Sequence, residues 1–306
     1  MPHMSYNTHI NSTTECKPVS KFIFIKTMKT GSSTTTTMLV RYGLRNKLKI
    51  ARDHEDIECT NCSTIDYSVT HRRYIRSSLD NLVTNAKYFT ILRSPYSQLL
   101  SAFHWFNFTQ FIGNISFEKF IEHPERFQNS TEVHHQHKNG QLWYLEPNFN
   151  MNQLDDDTYI QQTFKQLEAE MDLVMITEYY DESLILLKKM LCWKFDDLIY
   201  HKKKVHSPKE ELSDSMKTSI RKWNKADFLL YAYFNRTFWE KVNNYDGDFH
   251  KDLREFRNKQ QKVTSKCKAQ RNNLLCRRLF LDSWPIYKLA LKERWVQQNN
   301  SKGGPN

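Results

Sequence analysis

The chain reads as an α/β protein in which a P-loop-like parallel sheet is flanked by helices. Three stretches carry that reading. Lys21–Leu44, KFIFIKTMKTGSSTTTTMLVRYGL, passes from a short apolar strand through a basic turn into a helix start. Tyr88–Phe106, YFTILRSPYSQLLSAFHWF, repeats the order of strand, break and helix. Leu173–Thr177 is a further apolar strand, and a helix over Ser183–Leu191 follows it. Strands that alternate with helices predict a parallel sheet.

In the first stretch the apolar run Phe22–Ile25 ends in Lys26 and Lys29. Gly31 and a hydroxyl run, Ser32 to Thr37, come next. Backbone N–H groups at a helix N-terminus are unpaired, and the helix dipole favours an anion there. The lysines add full charge and the hydroxyls add donors. A Walker A loop places its lysine after the second glycine, whereas here the lysines precede Gly31. The loop therefore suits a phosphate donor other than a magnesium-bound nucleoside triphosphate. In the bland reading the lysines are solvated turn residues and the threonines cap a helix. Four consecutive threonines also count against a helix, because β-branched residues lose χ1 freedom there.

In the second stretch Arg93 closes the strand and Ser94-Pro95 breaks it. Proline is favoured in a first helical turn. Ser101 lies eight residues after Arg93, about two turns into that helix. Ligands of α/β sheets bind outside the carboxyl ends of the strands. Lys26, Lys29 and Arg93 occupy such ends, which fits a ligand with two separated phosphate groups.

KTMKTGSST together with ILRSPYSQLLSAFHWF resembles the two nucleotide-binding motifs of Golgi carbohydrate sulfotransferases. The likeness is strongest to the galactose-3-O-sulfotransferase family, which includes galactosylceramide sulfotransferase. LVMITEYYDES, LILLKKMLCWKFDDLIY, WNKADFLLYAYFNRTFWEKVNN and LCRR resemble later segments of that family, in the same order. The resemblance runs from Cys16 to Arg278. It implies a sulfotransferase fold, the donor 3′-phosphoadenosine 5′-phosphosulfate, and an acceptor hydroxyl on a terminal galactose of a glycolipid or glycoprotein glycan. By the same resemblance Lys26, Lys29, Thr30, Gly31, Ser32, Ser33 and Thr34 wrap the 5′-phosphosulfate. Arg93 and Ser101 hold the 3′-phosphate.

The chain also departs from the family pattern. The family reads K-T-H-K-T-G, and Met28 stands here in place of that histidine. A thioether takes no proton. Ser94 stands where the family has an aspartate before proline, and the late Gly- and Lys-rich segment is not evident. His71, in SVTHRRYI, resembles the N-H-x-R-F histidine of the family. It also resembles the base of the related uronyl 2-O-sulfotransferases. As catalytic residues the resemblance thus implies His71, which takes the acceptor proton, and Lys29, which neutralises charge on the transferred group. In the alternative, His71 is merely polar, in a basic turn beside Arg72 and Arg73.

Composition sets the frame. The 306 residues carry a formal charge of +11 and are 39% hydrophobic. That suffices for one domain over 20–297, with 1–19 as a stem or tag remnant and 298–306 as a disordered tail. The basic residues are scattered, and runs such as Lys202–Lys204 and Arg254–Lys262 read as solvated faces. Nucleic-acid signatures are absent. No metal is required, since lysine and backbone dipoles do the neutralising. Asp155–Asp157 opens a helix running to about Met171, and acids in a first turn suit the dipole better than they suit a metal. His134, His135 and His137 read as a polar loop.

Glu178, Asp181 and Glu182 follow a strand and either face the acceptor or cap the helix over Ser183–Leu191; the cap is the favoured reading. Trp105 and Trp143 stack on a sugar or fill the core, and Trp193 belongs to the core. Six cysteines, Cys16, Cys59, Cys62, Cys192, Cys267 and Cys276, fit disulfides of undetermined pairing. N-x-S/T acceptors at Asn11, Asn61, Asn107, Asn114, Asn129, Asn235 and Asn299 agree with secretory passage. No apolar run in the sequence reaches the ~18 residues that span a membrane. The family's type II topology implies a Golgi-lumenal protein with an N-terminal anchor that this chain does not contain.

Three alternatives to an active sulfotransferase stay open. One is a non-catalytic relative that binds nucleotide or glycan, because Met28 replaces the histidine. The others are a kinase, which lacks Walker A here, and a basic polyanion-binding module.

Overall fold

The computed structural model describes residues 16–52, 65–127, 137–203 and 211–297, with the backbone followed to 300. Four parallel strands, β1 (Phe22–Ile25), β2 (Tyr67–Ser68), β3 (Lys87–Leu92) and β4 (Leu173–Ile176), lie in the order β2-β1-β3-β4. The register pairs Ile25 with Thr90 and Leu92 with Ile176. Every residue of β1 is at most 1% exposed. Helices cover both faces of such a sheet, so its strands are continuously apolar rather than alternating.

This order sets where a ligand goes. The chain leaves β1 for β2 on one side and returns to β3 on the other. The crevice at the carboxyl ends of β1 and β3 is the topological switch point, where open α/β sheets bind their ligands. Helix α1 (Ser32–Arg45) follows β1, α2 (Arg76–Leu82) precedes β3, and α3 (Pro95–Trp105) follows β3. The Tyr180–Leu191 helix follows β4, and the C-terminal Ser283–Asn300 helix packs along α1.

The threonine run is helical despite its weak propensity. Thr34 to Thr37 are all buried in α1. Thr37 Oγ1 donates to the Ser33 carbonyl at 3.0 Å, and Thr35 Oγ1 lies 3.1 Å from the Tyr180 hydroxyl. Helical stability comes mainly from packing, and the Thr35 and Thr37 hydroxyls find partners in the Tyr180–Leu191 helix and in α1 itself. The helix after β4 begins at Tyr180, three residues before the expected start. The acidic triplet behaves as a helix start: Asp156 caps Asp157–Glu170 by accepting from Thr158 N and Tyr159 N. Trp193 is core, 3% exposed and stacked on Tyr42.

The ends of the expected domain shift slightly. Within the expected stem, Cys16 is disulfide-bonded to Cys192, and Val19 N donates to the Leu191 carbonyl. The C-terminal helix reaches Asn300, inside the expected tail. Cys267 pairs with Cys276, while Cys59 and Cys62 lie outside the described residues. Asn107 and Asn114 are exposed acceptor sites. Asn235 sits within the Lys225–Asn243 helix with its Oδ1 buried, which is unsuited to a glycan. Asn11, Asn61 and Asn129, with His134 and His135, fall outside the described residues, as does the Asn299 side chain. Among the described residues no helix is long and apolar enough to cross a membrane, and no three His, Cys, Asp or Glu side chains are grouped to hold a metal.

Candidate active site

The loop after β1 is knitted inward by its threonines. Thr27 Oγ1 donates to the Ile91 carbonyl at 2.7 Å, and Ser32 Oγ donates to the Thr27 carbonyl at 2.7 Å. Thr30 is fully buried, its Oγ1 donating to the Thr27 carbonyl at 3.2 Å. Lys29 (φ 62°) and Gly31 (φ 77°) both take the left-handed conformation. For Gly31 that is free of penalty. For Lys29 it is a local strain of the kind that persists where surrounding structure enforces it. The enforcement is visible: Arg93 Nη1 donates to the Lys29 carbonyl at 3.0 Å, and Gln98 Nε2 to the Met28 carbonyl at 3.3 Å.

Each strand end contributes to one cleft of about 550 Å³. Lys26, Met28, Lys29, Gly31, Ser32, Ser33 and Thr34 come from β1 and the start of α1, and His71 from beyond β2. Arg93 and Ser101 come from β3 and α3, and Thr177 from β4. All the expected site residues line it except Thr30, whose side chain serves the loop instead. Ser32, Ser33 and Thr34, the first residues of α1, line the same space, at the end of the helix whose dipole favours an anion.

His71 is fixed by its backbone neighbour. Its Nδ1 lies 2.7 Å from the Lys26 carbonyl oxygen. A carbonyl only accepts, so Nδ1 carries the proton in the neutral ring and Nε2 carries the lone pair.

Arg93 is held by a polar network that the sequence did not reveal. Gln141 Oε1 accepts from Arg93 N at 2.8 Å, and Gln141 Nε2 donates to the Arg93 carbonyl at 2.9 Å. The buried Asp227 carboxylate in turn accepts from Gln141 N and Leu142 N at 3.1 and 2.8 Å. Burial lowers the Arg93 guanidinium below its ordinary value, and Glu178 works against that shift. Glu178 has a different task from the expected cap of its own helix. It accepts from Ser94 N at 2.9 Å and from the Tyr231 hydroxyl at 3.1 Å, so it holds the start of α3. Asp181 and Glu182 pair with Arg257.

Burial pushes the Asp227 carboxyl up from 3.8 to about 6, against the pull of its backbone donors. The folded state thus holds this proton more tightly than the unfolded chain. Its contribution to stability falls as pH rises from about 4 to about 6. Asp227→Asn abolishes the titration but keeps one acceptor. Thermal unfolding between pH 4 and pH 7 should show the wild type's advantage over this variant shrinking across that window and levelling above it. A pH-independent difference would mean that Asp227 does not titrate there.

In the basic run after the Tyr180–Leu191 helix, Lys202 is exposed, as expected of a solvated face, and Lys203 is half-buried. Lys202 and Lys203 line the cleft together with Tyr180, Tyr200 and Ser283. Lys203 N donates to Thr34 Oγ1 at 3.1 Å, which ties this segment to the start of α1. Burial lowers the Lys203 ammonium from its ordinary value; Arg41 adds to the shift and Asp282 opposes it. Lys204 lies outside the described residues, and farther along Arg257 and Lys259 make ion pairs. Trp105 stands in the cleft wall and Trp143 packs against the core, under the Arg73 guanidinium.

A P-loop-like parallel sheet with cationic residues lining the crevice at its switch point defines an α/β protein with the sulfotransferase fold. The sequence model of galactose-3-O-sulfotransferases matches residues 2–278, and the chain belongs to that family. It is 30% identical over 269 residues to galactose-3-O-sulfotransferase 3 of Mus musculus, covering 80% of this chain and 62% of that protein. It is 30% identical over 256 residues to galactosylceramide sulfotransferase of Homo sapiens, covering 74% of this chain and 59% of that protein. Galactose-3-O-sulfotransferase 2 of Sus scrofa is 27% identical over 252 residues, covering 74% of this chain and 63% of that protein. The chain thus spans under two thirds of the length of these relatives.

Proposed function

We propose that the protein is a carbohydrate sulfotransferase. It moves a sulfuryl group from 3′-phosphoadenosine 5′-phosphosulfate to a galactose hydroxyl, the 3-OH, of a glycolipid or glycoprotein glycan. The observation that carries this reading is the meeting of Lys29, His71, Arg93 and Ser101 in one cleft at the switch point. The donor is a substrate with two anionic ends, and the cleft offers two cationic arms. Lys26, Lys29, Gly31, Ser32, Ser33 and Thr34 suit the phosphosulfate, with Thr30 acting through the loop backbone. Arg93 and Ser101 suit the 3′-phosphate. Lys202 and Lys203 add positive charge to the same wall.

In the transfer, His71 Nε2 takes the proton of the acceptor hydroxyl as its oxygen bonds to sulfur. The bond between sulfur and the bridging phosphate oxygen breaks, and the electron pair stays on the phosphate. Lys29 neutralises charge on the equatorial sulfuryl oxygens and on the leaving group. We place this activity in the Golgi lumen, in a type II membrane protein anchored N-terminally. The Cys16–Cys192 and Cys267–Cys276 disulfides and the exposed Asn107 and Asn114 acceptors support an oxidising, glycosylating compartment.

Met28 lines the cleft where the family pattern has histidine, and this favours a second reading: a relative that binds donor without turnover. The test is radiolabelled sulfate transfer onto β-galactosides and uronic-acid glycans, beside equilibrium binding of adenosine 3′,5′-bisphosphate. Transfer to galactosides is the expected result. Binding without transfer to any acceptor would favour the non-catalytic relative, and turnover gained by Met28→His would identify the cause.

A further inference from the structure

We propose that Trp105 is the positioning residue for Lys29: its indole face holds the lysine ammonium over the cleft and so fixes where that charge meets the transferring group. This rests on the sulfotransferase reading above. Trp105 is the last residue of α3. Its neighbours Leu99 and Ala102 are fully buried and Phe103 is 1% exposed, yet Trp105 is 47% exposed and lines the cleft. A large apolar ring left in water at that position contributes little to the core. Over its face lies the proposed catalytic lysine, with Lys29 Nζ 4.0 Å from the ring centroid.

The choice of partner matters for chemistry. A lysine arm is long, flexible and strongly hydrated, and must be ordered before it can act. An aromatic face attracts the ammonium through the ring quadrupole and so restricts the arm. The backbone sets the direction of the arm, through φ 62° at Lys29 and the clamp of Arg93 Nη1 on the Lys29 carbonyl. The indole sets its far end. Pre-ordering of this kind raises the rate, because no reorganisation is needed as charge develops.

The test compares Trp105→Leu, which keeps apolar bulk, with Trp105→Phe, which keeps a π face. In the ligand-free protein the ε-methylene protons of Lys29, assigned by their loss in Lys29→Ala, should be shifted upfield by the indole ring current. The shift should shrink in Trp105→Phe and vanish in Trp105→Leu. In transfer from 3′-phosphoadenosine 5′-phosphosulfate to a β-galactoside, Trp105→Leu should lower kcat by about 3- to 30-fold, with Trp105→Phe recovering most of the loss. The acceptor KM should stay within about twofold, since the effect passes through Lys29 rather than through the sugar. An unshifted ε-methylene in the wild type overturns the proposal. So does a loss confined to acceptor KM, which would make Trp105 a sugar platform. Wild-type protein that shows the ring-current shift but transfers nothing would instead remove the sulfotransferase reading, and this role with it.

Discussion

Lys29→Ala is expected to lower kcat for sulfuryl transfer by about 100- to 1000-fold, the loss typical of one donor aimed at developing charge. The variant isolates charge from backbone. Lysine and alanine share the same Cβ, so the left-handed strain at φ 62° is unchanged by the substitution. The Arg93 and Gln98 bonds run to main-chain carbonyls and survive it. The loop should therefore keep its shape, and thermal unfolding should move little. What disappears is an ammonium in the cleft wall, whose value is greatest when negative charge builds on the sulfuryl oxygens and the bridging oxygen. A group that acts in this way lowers kcat and kcat/KM together. Adenosine 3′,5′-bisphosphate lacks the sulfuryl group, so its affinity should fall far less than kcat. Equal losses in product affinity and in kcat would recast Lys29 as a ground-state phosphate contact.

The two cationic strand ends were legible because each marks a local event: an apolar run ends, and a cation follows at once. Phe22–Ile25 followed by Lys26, and Tyr88–Leu92 followed by Arg93, need no knowledge of distant chain. The third strand and its helix were legible for the same reason. Other features are set by distance in sequence. Thr177 Oγ1 donates to the Thr30 carbonyl from 147 residues away, and Lys203 meets Thr34 from 169 residues away. No periodicity announces such a contact. Gln141 and Asp227 carry no local signal; only the fold brings Gln141 to the Arg93 backbone and Asp227 to the Gln141 amide. The threonine run shows the opposite failure. Its local preference was read correctly, but the partners that override it lie partly in the Tyr180–Leu191 helix. Thr30 is subtler still. The family resemblance implied a ligand contact there, and only packing shows its side chain directed at Thr27.

His71→Ala should cost about 100- to 10,000-fold in kcat, the range usual for loss of a positioned general base. Its more telling companion is His71→Gln. In the protein Nδ1 donates 2.7 Å to the Lys26 carbonyl, so the ring does two things at once. It braces the loop, and in that neutral tautomer it keeps a basic Nε2. A glutamine amide N–H has the chemistry to brace the carbonyl but offers no basic nitrogen. If proton transfer is the important role, His71→Gln should bind adenosine 3′,5′-bisphosphate like wild type and be as slow as His71→Ala. The pH profile adds the sign. Protonated imidazole cannot accept a proton, so wild-type kcat should fall on the acid side, and both variants should lose that limb. A His71→Gln enzyme with near wild-type turnover would reduce the histidine to a brace. The proton acceptor would then have to be another group on the cleft wall, and Met28 cannot be that group, because a thioether has no basic site.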